Sequence, residues 1–501
     1  MINKPIKRPS FLLALIPIVV LITLLFTNIR IWKDNSIMGP NQMALIFATV
    51  VAGIIASGLH VSFKRMRKFM VNNISDSMPS ILILLMIGAL SGSWMLSGIV
   101  PTLIYYGMDL LNPKIFLLAT LLIASVVSLA TGSSWTTIAT IGVALLGIGT
   151  VLGFSPPIIA GAIVSGAYFG DKLSPLSDTT NLAPAMAGTD IFTHIRYMLY
   201  TTTPTYIITI IIFLVMGLFH QSTGSGLEIE AMKQALASTF NISLWLLIVP
   251  LALIVVIIRK NPPLPSLFLG TILGGIAAIF FQHDLITSLG DLGNSYFYNS
   301  YKVVTESFFG GTTIHTENAA LSRLLSTSGM HGMLETIWLI ITAMSFSGIM
   351  ESAGMLVRIA EAIIKIAKST GSLVLSTVVS AIFMNITASE QYISIVVPGR
   401  MFAKIYRRRG LKPELLSRSL EDGGTVTSVL VPWNTGGVVN STVLGVPTLS
   451  YLPFAFFNLI SPVMSVLIAY LNFKIRKYSN EELAELREKY PEIGEEIRKE
   501  L

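Results

Sequence analysis

Two aspartates seven residues apart, Asp171 and Asp178, lie in Gly170-Asp171-Lys172-Leu173-Ser174-Pro175-Leu176-Ser177-Asp178-Thr179-Thr180-Asn181, between apolar stretches. A third carboxylate, Glu390, lies in Asn385-Ile386-Thr387-Ala388-Ser389-Glu390-Gln391, again flanked by apolar sequence. Carboxylates among hydroxyl and amide oxygens offer hard oxygen ligands to a cation, and they also bind and release protons. An ionisable side chain inside a bilayer costs roughly 2.5–3.5 kcal/mol even by the mildest scale, so function is the first explanation to consider. Asp178 has no adjacent base and is flanked by Ser177 and Thr179, which favours a cation or proton site. Asp171 adjoins Lys172 and fits an ion pair and an ion site equally well. Glu421 and Asp422 follow Arg418 and read more readily as groups at the water boundary.

A carboxylate that exchanges a proton for a cation near neutral pH must titrate near 7 rather than about 3.9. That difference is roughly 4 kcal/mol, which burial alone can supply. Further oxygen donors surround the same positions: Thr131, Ser133 and Ser134 in Ala130–Trp135, Thr179 and Asn181 beside Asp178, and Asn434 and Thr435 after Pro432. Taken singly, such a hydroxyl more often bonds a carbonyl of its own helix. Clustered at interruptions of apolar sequence, these residues become candidate sodium ligands: Asp171, Asp178, Thr179, Asn181, Glu390, Asn434 and Thr435, with Thr131, Ser133, Ser134, Asn385, Thr387 and Ser389 at the breaks.

The elements that must position these residues repeat. From Thr131 to Asp178 is 47 positions, and from Thr387 to Asn434 is again 47. An offset of 256 also pairs Ser133 with Ser389 and Pro157 with Pro413. Residues Ala144–Pro156 carry no charge, whereas the equivalent Arg400–Lys412 carries six basic residues and no acid. The positive-inside rule holds the second connection in the cytoplasm and lets the first lie outside. Matching segments of opposite sidedness define an inverted-topology repeat. A helix broken inside hydrocarbon is tolerated only where it lines protein or water, and it exposes carbonyls that can bind a desolvated cation.

Composition agrees. Of 501 residues 52% are hydrophobic and 12% charged, with mean hydropathy +0.71. Runs such as Phe11–Asn28, Gln42–Val61 and Thr201–Phe219 carry no charged side chain. About 20 such residues cross a hydrocarbon core about 30 Å thick. The fold class expected is an all-α polytopic membrane protein with broken or re-entrant helices. Residues 1–10 form a cytoplasmic amino terminus, 11–475 the transporter domain and 476–501 a charged cytoplasmic tail. The repeats span about 78–220 and about 333–473.

Helices are expected near Pro79–Tyr106, Ile115–Ala130, Pro157–Phe169, Thr201–Phe219, Ile242–Ile258, Leu264–Phe281, Met333–Met350, Leu373–Phe383, Thr425–Leu444 and Tyr451–Phe473. Lys64–Lys68 reads as a basic loop, and Gln282–Met330 as a long polar connection or re-entrant segment. Ser479 and Glu482 stand in capping-box spacing at the start of the tail.

Several functions are disfavoured. The net charge of +7 clusters in short connections between apolar runs and calls for no nucleic acid. With no cysteine there is no thiolate metal site and no disulfide. The six histidines form no HExxH pair, a metal role for His315 with Glu317 is disfavoured, and no phosphate-binding loop is present. A channel, the rival from another class, calls for continuous pore polarity rather than two local breaks.

At these same residues the chain resembles the NhaC-type sodium/proton antiporters of the ion-transporter superfamily. Gly170–Pro184 carries the family's most distinctive motif, continuing through Ala187–Asp190 to His194-Ile195-Arg196. Thr131–Trp135 is similar to its first break, and Ala388–Tyr392, Leu420–Ser428 and Pro432–Thr435 to its second-half signatures. The resemblance runs from about residue 10 to 475 and departs at Gly436, where cysteine is common, and at Ser347, which replaces a glycine. It implies a multi-pass secondary antiporter of roughly 10–12 segments in the cell inner membrane. Both termini would be cytoplasmic, with Na+ and H+ as transported species, no cofactor, and a homodimer by analogy. Some members exchange organic anions or amino acids, such as malate for lactate, and no residue here decides between the two.

Overall fold

The computed structural model describes residues 6–32, 36, 38–110, 112–220, 226–259, 261–291, 293–314, 325–364, 367–479 and 481–482. The first ten helices are α1 Phe11–Trp32, α2 Pro40–Gly58, α3 Phe63–Asp76, α4 Met78–Leu96, α5 Ile99–Leu110, α6 Phe116–Thr131, α7 Ser134–Val151, α8 Pro156–Leu173, α9 Asp178–Ala187 and α10 Ile191–Leu218. Next come α11 Gly226–Thr239, α12 Ile248–Ile258, α13 Pro263–Phe281, α14 His283–Leu289, α15 Tyr296–Phe309, α16 Leu334–Ser352 and α17 Met355–Ile364. The last five are α18 Thr370–Thr387, α19 Gln391–Arg408, α20 Pro413–Leu420, α21 Thr435–Leu444 and α22 Phe456–Tyr470. Among the described residues, nine helices are long and apolar enough to cross a membrane, or up to 11 if two bent pairs each count as one span.

Apolar composition alone does not end these helices; specific residues do. Gly132 (φ 69°) closes α6 in the left-handed conformation, its N–H donating to Ser128 O at 2.8 Å. Ser133 Oγ then accepts the Thr136 N–H at 3.2 Å and opens α7. At the second interruption Ser177 Oγ accepts the Thr180 N–H at 3.3 Å and opens α9. In the other half, Glu390 caps α19 and Asn434 caps α21. Side-chain oxygens thus satisfy backbone donors that hydrocarbon cannot.

Adding 256 to the bounds of α4 gives residues 334 and 352, the bounds of α16. The same shift carries α6, α7, α8 and α9 onto α18, α19, the α20 run and α21 with ends displaced by two residues or fewer. That run is α20 continued by a wide π turn at Glu421–Thr425 and one further turn, Val426–Ser428.

α6 lies close along α8, because Gly166 and Gly170 leave no side chain where the Leu121 and Ser125 carbonyls approach. Gly132 is equally constrained, since a Cβ there would meet Leu176 and the Ser177 nitrogen, and its φ is unfavourable for any L side chain. We expect Gly132→Ala to lower stability by about 1–2 kcal/mol or more, read as a lower unfolding temperature in detergent.

Several expectations are corrected. The Lys64–Lys68 loop is the first part of α3, begun where Ser62 Oγ accepts the Arg65 N–H at 3.3 Å. The stretch Pro79–Tyr106 divides into α4 and α5 at Gly98 (φ 77°). Thr425–Leu444 is not one helix; it breaks between Ser428 and Thr435. The expected Tyr451–Phe473 helix is preceded by Thr448–Phe454, bent 59° from α22. Residues 282–330 contain α14 and α15, while the His315–Glu317 pair lies outside the described residues. Of the tail, the capping box is present: the Ser479 N–H donates to Glu482 Oε2 at 2.7 Å and the Glu482 N–H to Ser479 Oγ at 3.2 Å. Lys412 Nζ adds an ion pair to Glu482 at 2.7 Å, which holds that carboxyl below its ordinary range. The remainder of the tail lies outside the described residues.

Candidate ion-binding cleft

A cleft of about 590 Å3 opens where the two interruptions of the first half meet. The first break contributes Thr131, Gly132, Ser133, Ser134, Trp135 and Thr136; the second contributes Pro175, Leu176, Ser177, Asp178 and Thr179. Asp171, in the last turn of α8, closes the wall between them. Gln391 and Tyr392 reach in from α19, and Pro79, Ser80, Ile83, Ile257 and Asn261–Leu264 complete the lining. Among the described residues that line it there are two carboxylates and no lysine, arginine or histidine.

Asp171 is buried and accepts a hydrogen bond from Ser134 Oγ at 2.7 Å. Asp178 is exposed in the cleft and receives the Tyr392 hydroxyl at 3.4 Å. Thr179 turns its hydroxyl to Glu421 Oε1 at 3.2 Å. Asn181 does not join them: it is exposed, and its amide donates to Pro175 O at 3.0 Å and Ser177 O at 2.7 Å, fixing the turn instead.

The candidates of the second half form a separate buried group. Asn434 Nδ2 donates to Asn385 O and Oδ1, both at 3.0 Å, and Asn385 Nδ2 donates to Gly424 O at 2.6 Å. The Thr435 N–H reaches Ser389 O at 3.0 Å. Thr387 bonds Phe383 O of its own helix at 2.8 Å. Glu390 Oε2 accepts the Tyr392 N–H at 2.5 Å and the Ile393 N–H at 3.0 Å. Among the described residues its Oε1 and the neighbouring Ser389 Oγ are buried without a hydrogen bond, and Ser389 adopts φ 59°, a strained value for a residue with a side chain. Two oxygens buried without partners at a strained break suit a group that takes up a cation or proton.

Lys172 does not neutralise Asp171. Its ammonium, wholly buried, pairs with Asp422 of the other half. Ser461 Oγ also donates to Asp422 at 2.6 Å, and Thr201 Oγ1 at 3.2 Å. Glu421 and Asp422, read from sequence as boundary groups, are fully buried in the π turn. Sequence reasoning therefore missed Lys172–Asp422, Glu421, Gln391 and Tyr392 as components of this region. The charges of Lys172, Glu421 and Asp422 inside apolar sequence were a visible signal; their partners, 250 and 242 residues away, were not.

An all-helical chain that crosses the membrane repeatedly and gathers carboxylates and hydroxyls at interrupted helices is built as a secondary transporter. The comparisons specify the kind. A model of the Na+/H+ antiporter family matches residues 166–473. Over 471 residues the chain is 36% identical to the Na(+)/H(+) antiporter NhaC of Alkalihalophilus pseudofirmus, covering 94% of this chain and 98% of that one. It is 38% identical to the malate-2H(+)/Na(+)-lactate antiporter of Bacillus subtilis, covering 86% and 89%. It is 34% identical to the arginine/ornithine antiporter ArcD of Halobacterium salinarum, covering 96% of each. The chain belongs to the Na+/H+ antiporter family and is a membrane transporter, not an enzyme.

Proposed function

We propose that this antiporter exchanges sodium for protons at the cleft, with Asp171 and Asp178 binding the two ions in turn. The observation that carries this reading is the lining: two carboxylates and several hydroxyls with no basic side chain among the described lining residues. Such a surface attracts a cation, and proton uptake by the same carboxylates weakens sodium binding. It offers no cationic partner to an organic anion, so simple cation exchange is favoured over exchange of a malate-like substrate.

Glu390, with Ser389, Thr435, Asn434 and Asn385, forms a second ligand group that communicates with the cleft through Gln391 and Tyr392. The two groups belong to repeats at about 78–220 and 333–473 that run in opposite senses across the cell membrane. The matching element bounds support the repeat, and the basic Arg400–Lys412 stretch, the end of α19 and the turn after it, against the uncharged Ala144–Pro156, the end of α7 and the turn after it, supports the inversion. Both termini then face the cytoplasm.

Reconstituted vesicles test this. An imposed sodium gradient must drive saturable proton movement, without lactate, malate or amino acids; current at channel rates, or exchange only with an organic substrate present, would overturn it. Glu390→Gln is expected to slow exchange about tenfold, a loss of about 1.4 kcal/mol, and to change its pH profile, while Asn434→Ala slows exchange with the pH profile unchanged.

A further inference from the structure

A second cavity, of about 290 Å3, lies apart from the ion cleft and is built by segments that the transport reading leaves unused. The stretch Ile6–Pro9 before α1 forms one side, Arg65 of α3 another, and Glu351–Gly354, Val357, Arg358 and Glu361 at the α16–α17 junction the third. The amino-terminal stretch is fixed there, because the Lys7 N–H donates to Leu59 O at 3.0 Å. Four cations, Lys7, Arg8, Arg65 and Arg358, face two acids, Glu351 and Glu361.

The arginines are oriented by the protein. Arg65 Nε donates to Ser352 O at 3.1 Å and its guanidinium lies over the Phe69 ring, 5.1 Å from the centroid. Arg358 Nη1 lies 3.3 Å from Glu361 Oε2. Each of these contacts uses part of a guanidinium that carries five donors. The surroundings are apolar and outward-facing: Ile6 and Val357 line the cavity and are exposed, and Phe63 and Leu12, close in sequence to Arg65 and Arg8, are 73% and 74% exposed. A net-positive cavity beside exposed aliphatic and aromatic side chains at a helix-bundle surface combines what a charged headgroup and its acyl chains require.

We propose that this cavity binds the phosphate headgroup of an anionic membrane lipid, with Arg65 and Arg358 donating to the phosphate, Lys7 and Arg8 supplying further charge, and the acyl chains running over Phe63 and Leu12. A zwitterionic lipid gains less, because its own ammonium competes with these four side chains. Free phosphate shares the headgroup chemistry but lacks the apolar contact.

The test uses the full chain in nanodiscs of phosphatidylcholine, with or without phosphatidylglycerol at one part in five. Native mass spectrometry of released protein counts retained lipid, and thermal unfolding reads stability. Wild type is expected to retain phosphatidylglycerol in preference to phosphatidylcholine and to unfold at higher temperature when it is present. Lys7→Gln/Arg8→Gln, at exposed positions that spare the fold, weakens the preference several-fold, and Arg65→Gln/Arg358→Gln removes it. Glu361→Gln, which frees Arg358, strengthens it. Inorganic phosphate at millimolar concentration leaves the unfolding temperature unchanged. Equal retention of both lipids by wild type, unchanged preference in both double variants, or stabilisation by phosphate as large as by phosphatidylglycerol would each overturn the assignment. Sodium-driven proton flux is a separate readout, so failure here leaves the ion cleft standing.

Discussion

Asp178→Asn is expected to abolish sodium-driven proton flux in proteoliposomes while the protein still inserts and remains monodisperse. The asparagine side chain has the size and shape of aspartate but neither ionises nor carries an exchangeable acid proton. Asp178 is exposed in the cleft, and the hydrogen bond it accepts from Tyr392, at 3.4 Å, is weak. Little folding energy therefore depends on its charge, whereas its charge is the feature that can hold sodium in one half of the cycle and a proton in the other. Loss of at least about 100-fold in flux, some 2.7 kcal/mol, is expected, with the unfolding temperature in detergent close to that of wild type. Tyr392→Phe serves as the control: it removes the hydrogen bond but keeps the carboxylate, so flux persists with an altered sodium affinity. Undiminished exchange by Asp178→Asn would remove Asp178 from the mechanism.

The second large effect is structural. Lys172 and Asp422 are both wholly buried and lie 250 positions apart in the chain, so each is the other's charge compensation. Taking away one member of such a pair costs about 3–5 kcal/mol, because it leaves an uncompensated charge in a medium that solvates it poorly. Lys172→Met is therefore expected to lower the unfolding temperature sharply or to abolish accumulation in the membrane. Lys172→Met combined with Asp422→Leu is expected to recover most of that loss, since a buried ion pair contributes little net stability over apolar groups of similar size. Single variants as stable as wild type would show that the pair does not hold the two halves together.

The comparison of these two sites explains what sequence could disclose. Local chemistry was legible: Ser133, Ser177 and Asn434 were singled out or bordered as helix-break residues, and each proves to be a capping side chain, because a cap needs only neighbours along the chain. Helix bounds in apolar sequence were legible for the same reason, since Ile115–Ala130 against Phe116–Thr131 differs by one residue at each end. Partners across the bundle were not. Lys172 was weighed against adjacent Asp171, yet it pairs with Asp422, since a lysine stem of four methylenes reaches across a helix interface as readily as to a neighbour. Charge pattern placed Lys64–Lys68 in a loop because basic residues mark the membrane surface; the amphipathic α3, with Met66 buried and its cations exposed, satisfies the same pattern as a helix. Asn181 stands outside the cleft lining; hydroxyl and amide residues that fix a turn look, in sequence, like those that bind an ion.

Competition between the two ions for the cleft carboxylates has a sign that can be read directly. On the proposed reading protons fill Asp171 and Asp178 as pH falls, so sodium binding is expected to weaken, by up to about tenfold per pH unit for each proton displaced. Titrating the purified protein with sodium in two buffers of different ionisation enthalpy gives, by calorimetry, the number of protons released for each sodium bound. Proton release that rises toward one per sodium as pH falls into the range where the carboxylates are protonated, and none from Asp178→Asn, is the expected result. Sodium binding with no proton release at every pH tested, including the acid end where the carboxylates carry protons, would contradict a shared site and with it the exchange mechanism.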